Sequence, residues 1–267
     1  MEALRNKSER IRTREVTTEI VHRDNDGNIK PLWRENFIGR FLRQKFGFVT
    51  RVTFVTGVFV TVLRIHNIIT NVGHAGANGR MSNQGSYNPF TNLALGTGTL
   101  SVGATDMALF IEATGNGSNR VAATASQVTT SVTNDTTQLV HTWNFTTAFA
   151  ITEEGIFDGT TAPVQTTTTQ SRVAGDTSVT VASGTGFVNN DFLQWEQEII
   201  QVTAGGGSGT FSTIVRAQKG TSAASHASGT TLNDITANGN NLLAHQGFSV
   251  VNVANGDSLQ VTHKYQT

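Results

Sequence analysis

Between residues 90 and 158 a turn signal recurs about every ten residues. The stretches it separates, TNLALGTGT, MALFIEA, VAATASQVTTSVT and QLVHTWNFTTAFAITEEGIFD, suit short strands rather than packed helices. Within the last, Leu139, His141, Trp143 and Phe145 alternate with Val140, Thr142, Asn144 and Thr146. Period two puts the larger rings on one face, the pattern of a half-buried antiparallel strand. His141 on that face reads as a core or edge side chain rather than a ligand.

The composition supports the same class. Of 267 residues, 41 are Thr, 27 Gly and 22 Asn, so β-branched and turn-forming residues dominate, which disfavours a helical bundle. The predicted fold is mainly β: an antiparallel β-sandwich with an inserted small β module, plus an N-terminal arm, a hairpin and one amphipathic helix. Cysteine is absent, which excludes disulfide scaffolding and Cys-ligated zinc.

Three regions are expected. Residues 1–66 form an anchoring region of arm, hairpin, basic amphipathic helix and first strands. Residues 67–159 and 233–267 form the main sandwich, and residues 160–232 an inserted small β domain. In the first region EVTTEIVHR, the turn DNDGN and IKPLW read as a hairpin. Asp24-x-Asp26-Gly27 has the glycine at the fourth position of a would-be calcium loop, whereas that chemistry needs it at the sixth.

Residues 31–46 follow a helical period, with Trp33, Phe37 and Phe41 as an apolar stripe and Arg34, Arg40, Arg43 and Lys45 on other faces. These seven are the predicted interaction residues, and the aromatic stripe is expected to pack on the protein's own sheet or on a neighbouring subunit. Residues 48–65 read as two strands or one bulged strand. NVGHAGANGRMSNQGSYNPF reads as a 20-residue Gly- and Asn-rich loop, long enough to suggest that it binds something. In the inserted segment, SVTVASGTGF, DFLQWEQEIIQV and TFSTIVRAQKGTSAASHASGTTL supply about five short strands. SLQVTHKY closes the chain as a final strand.

Net neutrality hides an asymmetry. Residues 1–66 carry 13 basic and 7 acidic side chains, and residues 67–267 carry 6 and 12. The amino-terminal part therefore attracts what the remainder repels. Seven acidic groups among 13 basic ones leave a weak footprint for phosphate backbones, so no nucleic acid is expected. The first residues lack the apolar run of a secretion signal, and the longest apolar region, residues 52–63, falls short of the about 20 residues a spanning helix needs. No membrane association is expected.

No nucleophile elbow, Walker A run, dinucleotide fingerprint or zinc-protease motif is present. The GGGSG at residues 205–209 reads as a hairpin loop. The seven histidines, at 22, 66, 74, 141, 226, 245 and 263, show no metal-ligand spacing and read as chance surface or strand positions. Glu153 and Glu154 are adjacent, so on a strand they point to opposite faces and cannot flank one bond. Glu196 and Glu198 share a strand face and read as the wet side of a sheet. No catalytic residue, metal or cofactor is expected.

Three stretches, taken in order, resemble structural proteins of tailed-bacteriophage virions: TNLALGTGTLSVGATDMAL (91–109), ITEEGIFDG (151–159) and LLAHQGFSVVNVANGDSLQVTHKY (242–265). The upstream IHNIITNVGHAGANGRM is similar to the stretch that precedes them in that family. SVTVASGTGFVNNDFLQWEQEIIQVT and VRAQKGTSAASHASGTTL resemble a module recurrent in phage structural proteins, with Lys219-Gly220-Thr221 and His226 at the family's positions and Ala217 where glycine is commoner. The resemblance implies an assembled, non-enzymatic role in a virion, in a protein made in the host cytoplasm.

On that basis the expected function is a homo-oligomeric capsid decoration or cement protein, with a trimer favoured, docking on major capsid or other virion proteins. A neck or tail adaptor or short fibre is the alternative. A receptor- or glycan-binding module using an exposed Trp195, Tyr87 and the Gly-rich loop is the second alternative, with host glycan as its partner.

Overall fold

The computed structural model describes residues 15–35, 58–60, 62–85, 87–236 and 240–266. The fold is mainly β. Strands β1 (Glu15–Arg23), β4 (Val62–His66), β8 (Thr124–Val128), β9 (Thr136–Asn144) and β19 (Ser258–Gln266) form one sheet in the order β4-β1-β19-β9-β8. Strands β5 (Ile68–Ile69), β6 (Asn92–Gly96), β7 (Val121–Ala122), β10 (Phe149–Phe157) and β18 (Leu242–Val253) form a second, in the order β5-β18-β10-β6-β7. All pairings are antiparallel.

Between the two sheets lies one apolar cluster that includes Ile20, Leu93, Leu95, Leu139, Trp143, Phe145, Ile151, Ile156, Val251, Leu259 and Val261. Each such side chain, fully buried, contributes roughly 1.5 to 3 kcal/mol. The alternation at Leu139 and Trp143 places both inside, as period two requires. His141 on the same face is half-buried and meets the Trp143 ring edge-on at 4.7 Å.

The amino-terminal region departs from expectation. β1 sits inside the first sheet, paired along its length with β19 from Glu15↔Gln266 to Arg23↔Ser258 and on its other side with β4. Residues 15–23 and 62–66 are therefore strands of the sandwich, not an appendage to it. The expected turn at residues 24–28 is present, with Asp24 accepting the backbone N–H groups of Asp26 and Asn28, but its second arm is a single bridge, Arg23↔Ile29.

The expected helix over 31–46 is corrected at its start. Trp33–Glu35 is a strand, β2, paired with β3 (Val58–Val60) as Trp33↔Val60, Arg34↔Phe59 and Glu35↔Val58. Cross-strand pairing satisfies there the backbone groups that a helical turn would have satisfied internally. Phe37, Arg40, Phe41, Arg43 and Lys45 lie outside the described residues.

The expected Gly- and Asn-rich loop is in large part a helix, α1 (Asn71–Ser82). Thr70 caps it by accepting the Gly73 N–H at 2.9 Å, and Asn83 ends it in the left-handed conformation, φ 53°. Its glycines serve close approach rather than flexibility. A Cβ on Gly73 would collide with the Leu243 backbone, and one on Gly76 with the Phe90 ring.

Residues 160–232 carry their own apolar cluster, built on Val179, Phe187, Leu193, Trp195, Ile200, Val202, Phe211, Ile214 and Leu232. Its sheet runs β11-β17-β13-β14-β16: Gln165–Thr167, Thr231–Asp234, Phe192–Trp195, Glu198–Ala204 and Thr213–Val215, so Asn233 and Asp234, two residues past 232, pair with this module. A two-stranded ribbon pairs β12 (Val179–Thr180) with β15 (Thr210–Phe211).

Candidate functional site at the buried carboxylate–histidine clusters

The central strand β10 is buried from Ile151 to Phe157, so its two carboxylates must find partners inside the protein. Glu153 faces away from the inter-sheet core, toward the segment 98–111. Its Oε1 accepts the backbone N–H groups of Gly98 (2.8 Å) and Ile111 (2.9 Å). Its Oε2 accepts the Phe110 N–H at 3.0 Å and lies 2.9 Å from His245 Nε2. The other nitrogen of His245, Nδ1, lies 2.8 Å from Asp106 Oδ2, which also accepts the Gly103 N–H.

Asp106, Glu153 and His245 are all essentially buried. Burial alone would lower the His245 pKa, but the hydrogen bonds and charges of Asp106 and Glu153 outweigh it and hold the imidazole up at about 9.

The stretches ALGTGT, GATD, ITEEG and LLAHQ meet at this cluster. Gly96 and Gly98 of ALGTGT leave room for the Glu153 carboxylate, which a Cβ at either position would strike. ITEEG supplies Glu153, and LLAHQ supplies His245. A Cβ on Gly155 would press on Leu242 and Leu109, so this glycine lets three of the stretches pack together.

Glu154 faces the other way. Its Oε2 lies 2.6 Å from His263 Nε2, and its Oε1 accepts from Thr18 Oγ1 (2.9 Å) and Asn67 Nδ2 (3.1 Å). Because Thr18 and His263 belong to the first sheet and Glu154 to the second, this polar cluster ties the two layers together. At the hairpin between β18 and β19, Asp257 meets His22 and Lys30, each at 2.8 Å.

In the inserted segment Glu198 is buried, not on a wet face. Its carboxylate receives Arg216 through Nε (2.7 Å) and Nη2 (2.6 Å), the backbone N–H groups of Ala217 and Ala224, and His226 Nε2 at 2.9 Å. Burial raises its pKa, but these hydrogen bonds outweigh that effect and hold it down at about 2. His226 stacks on Trp195, centroids 3.9 Å apart, and reaches Glu196 at 2.5 Å through Nδ1. Trp195 is fully buried and donates Nε1–H to Thr230 Oγ1. It is therefore no exposed platform for a sugar ring.

One set of contacts joins sandwich residues at the base of this segment, and a second holds the segment itself. At the neck, Asp158 accepts the backbone and side-chain N–H groups of Asn241 at 2.8 and 2.7 Å. Arg120, paired with the buried Glu112 and lying over the Phe157 ring, also donates to Gly159 O and Asn240 Oδ1. At the seat, Gln194 accepts from Met107 N (2.7 Å) and Ala108 N (2.9 Å) and donates to Ala108 O, while Asn233 donates to Phe110 O.

Of the sequence-predicted interaction residues, Trp33 and Arg34 lie on β2 and the other five outside the described residues. The reading of Glu153 and Glu154 as facing opposite ways holds. The reading of the histidines as surface or strand positions holds only in part: His22, His245 and His263 do lie on strands, but with His226 they are buried against carboxylates. The usable signal was period two at His263, which shares a strand face with the buried Leu259 and Val261. Among the described residues no group of three or more His, Asp or Glu is arranged to hold a metal ion, and no helix is long and apolar enough to cross a membrane. A scan against protein-family models and a search of curated proteins find no match.

Proposed function

We propose that this chain is a non-enzymatic structural protein of a tailed-phage virion, a homo-oligomeric decoration or cement protein that docks on the head shell. The observation that carries the proposal is the convergence of ALGTGT, GATD, ITEEG and LLAHQ on one buried cluster. The residues behind the phage resemblance lie together in the fold, which supports reading them as one motif. Glu153, Glu154 and Glu198 support a structural role too, since backbone and side-chain donors occupy their carboxylates.

A small β domain held at a neck and a seat suits a protein that presents one face outward and another to a shell. The test is electron microscopy of particles lacking the protein. A complete tailed particle with a bare or fragile head is the expected result. A tailless or fibreless particle would move the assignment to the neck or tail adaptor.

A receptor role keeps one supporting feature. An open groove of about 680 Å³ is lined by Thr99, Ser101, Thr152, Gln246, Phe248 and Ser249, hydroxyls and an aromatic ring of the kind that sugars use. Affinity for host polysaccharide that falls in Phe248→Ala would favour it.

A further inference from the structure

The segment 98–111 stands between the inserted domain and the sandwich and touches both through buried polar groups. Toward the sandwich, its Gly98, Phe110 and Ile111 N–H groups bind Glu153, its Asp106 binds His245, and Thr152 Oγ1 donates to Gly98 O. Toward the inserted domain, its Met107 and Ala108 peptides and its Phe110 carbonyl hold Gln194 and Asn233, and Ser101 O accepts from Gln197. Gln194 and Asn233 are buried amides, so losing their partners would leave unpaired polar groups.

We infer that residues 98–111 are a proton-held latch: while His245 bears its second ring proton it binds Asp106 and Glu153 at once, and the latched segment forms the seat that orients residues 160–232. Without that proton one ring nitrogen ceases to donate and turns a lone pair toward its carboxylate, and Asp106 and Glu153 are left on either side of a neutral ring. The ionic tie from Asp106 to β18 is then gone, and the segment is held by its hydrogen bonds to Glu153, Thr152 and Asn71 without it.

The groups facing His245 are few. Asp106 and the Phe110 ring come from the latch, the ring at a centroid distance of 5.1 Å, and Glu153 from β10. Opposite His245, β5 offers Ile68. Glu112, whose carboxyl feels the Glu153 charge, is paired with Arg120. The neck contacts of Arg120 and Asp158 do not pass through His245, so an open latch leaves the domain attached but free to reorient.

The absence of cysteine makes the test direct. Spin labels on Val132→Cys and Val188→Cys, both exposed, report the distance between the sandwich and the inserted domain by pulsed electron resonance. At pH 7 the full chain should give one narrow distribution. It should broaden with a midpoint near pH 9, where the imidazole loses its proton, while circular dichroism keeps its β signature. Gln194→Ala and His245→Gln should both be broad already at pH 7.

A narrow distribution in His245→Gln, or in the unsubstituted latch above pH 10, would overturn the inference. Should His245→Gln fail to fold, Asp106→Asn removes one of the two charges holding the proton. Its midpoint should then fall by about one pH unit, and an unmoved midpoint would equally overturn the latch. A result against it leaves the virion proposal standing, since the latch does not depend on where the protein resides.

Discussion

Glu153 and Glu154 are neighbours on one strand, yet each anchors a different layer: Glu153 holds the segment 98–111 and His245, and Glu154 holds Thr18 and His263 of the opposite sheet. Alternation along β10 turns one dipeptide into a two-sided fastener. Both carboxylates are shielded from water, so their loss is costly in a way that a surface acid's is not.

Glu153→Ala should therefore lower unfolding free energy by about 3 to 5 kcal/mol, the usual cost of removing one partner of a buried charged pair. The change leaves His245 and three peptide N–H groups without their acceptor. Denaturant titration is the measurement, and a loss below about 1 kcal/mol, typical of exposed pairs, would contradict the described geometry.

Helix α1 offers a test of opposite signs. Gly73→Ala raises helix propensity but drives a methyl into the Leu243 backbone, so it should destabilise by about 1 to 3 kcal/mol. Asn78→Ala on the exposed face should instead stabilise by a few tenths of a kcal/mol, roughly the propensity difference. Thermal unfolding of the two variants reads the contrast.

The acid limit of the inserted domain follows from Glu198. Its pKa falls from an ordinary 4.5 to about 2 on folding, so its contribution is complete above pH 4.5 and is lost as pH drops toward 2. Urea midpoints of the domain should decline through that window. Glu198→Gln, which no longer titrates, should be less stable at pH 7 and show a flatter acid limb.

Deleting residues 1–46 should yield an unfolded or insoluble chain, not a free sandwich. The deletion removes β1, an inner strand that carries Ile20 into the core and Thr18 and His22 into buried bonds. Circular dichroism and gel filtration of the truncated chain provide the check. A soluble, cooperative β protein would show that β19 and β4 can close without it.

Trp195→Ala should act on folding, not on surface recognition. Removing a fully buried indole that stacks on His226 and bonds Thr230 should cost about 3 to 5 kcal/mol. The loss should appear in unfolding of the inserted domain, with no sugar titration needed to reveal it.

What the sequence by itself determined was local. The period-two stretch around Trp143, the closing strand at residues 258–266 and the turn at residues 24–28 are legible because alternation and turn chemistry involve residues a few positions apart. Even the opposed directions of Glu153 and Glu154 follow from one strand's geometry.

Only the tertiary structure decided what those side chains meet. His245 and Asp106 are 139 positions apart, and Thr18 and His263 are 245 apart; no local pattern records such partnerships. For the same reason α1 was hidden: its glycines suggest a loop until Leu243 and Phe90 are seen pressed against them. Trp195 and Glu198 likewise look exposed in a short window, and the fold buries them because Arg216, Ala224, His226 and Thr230, from the following segment, lie against that hairpin.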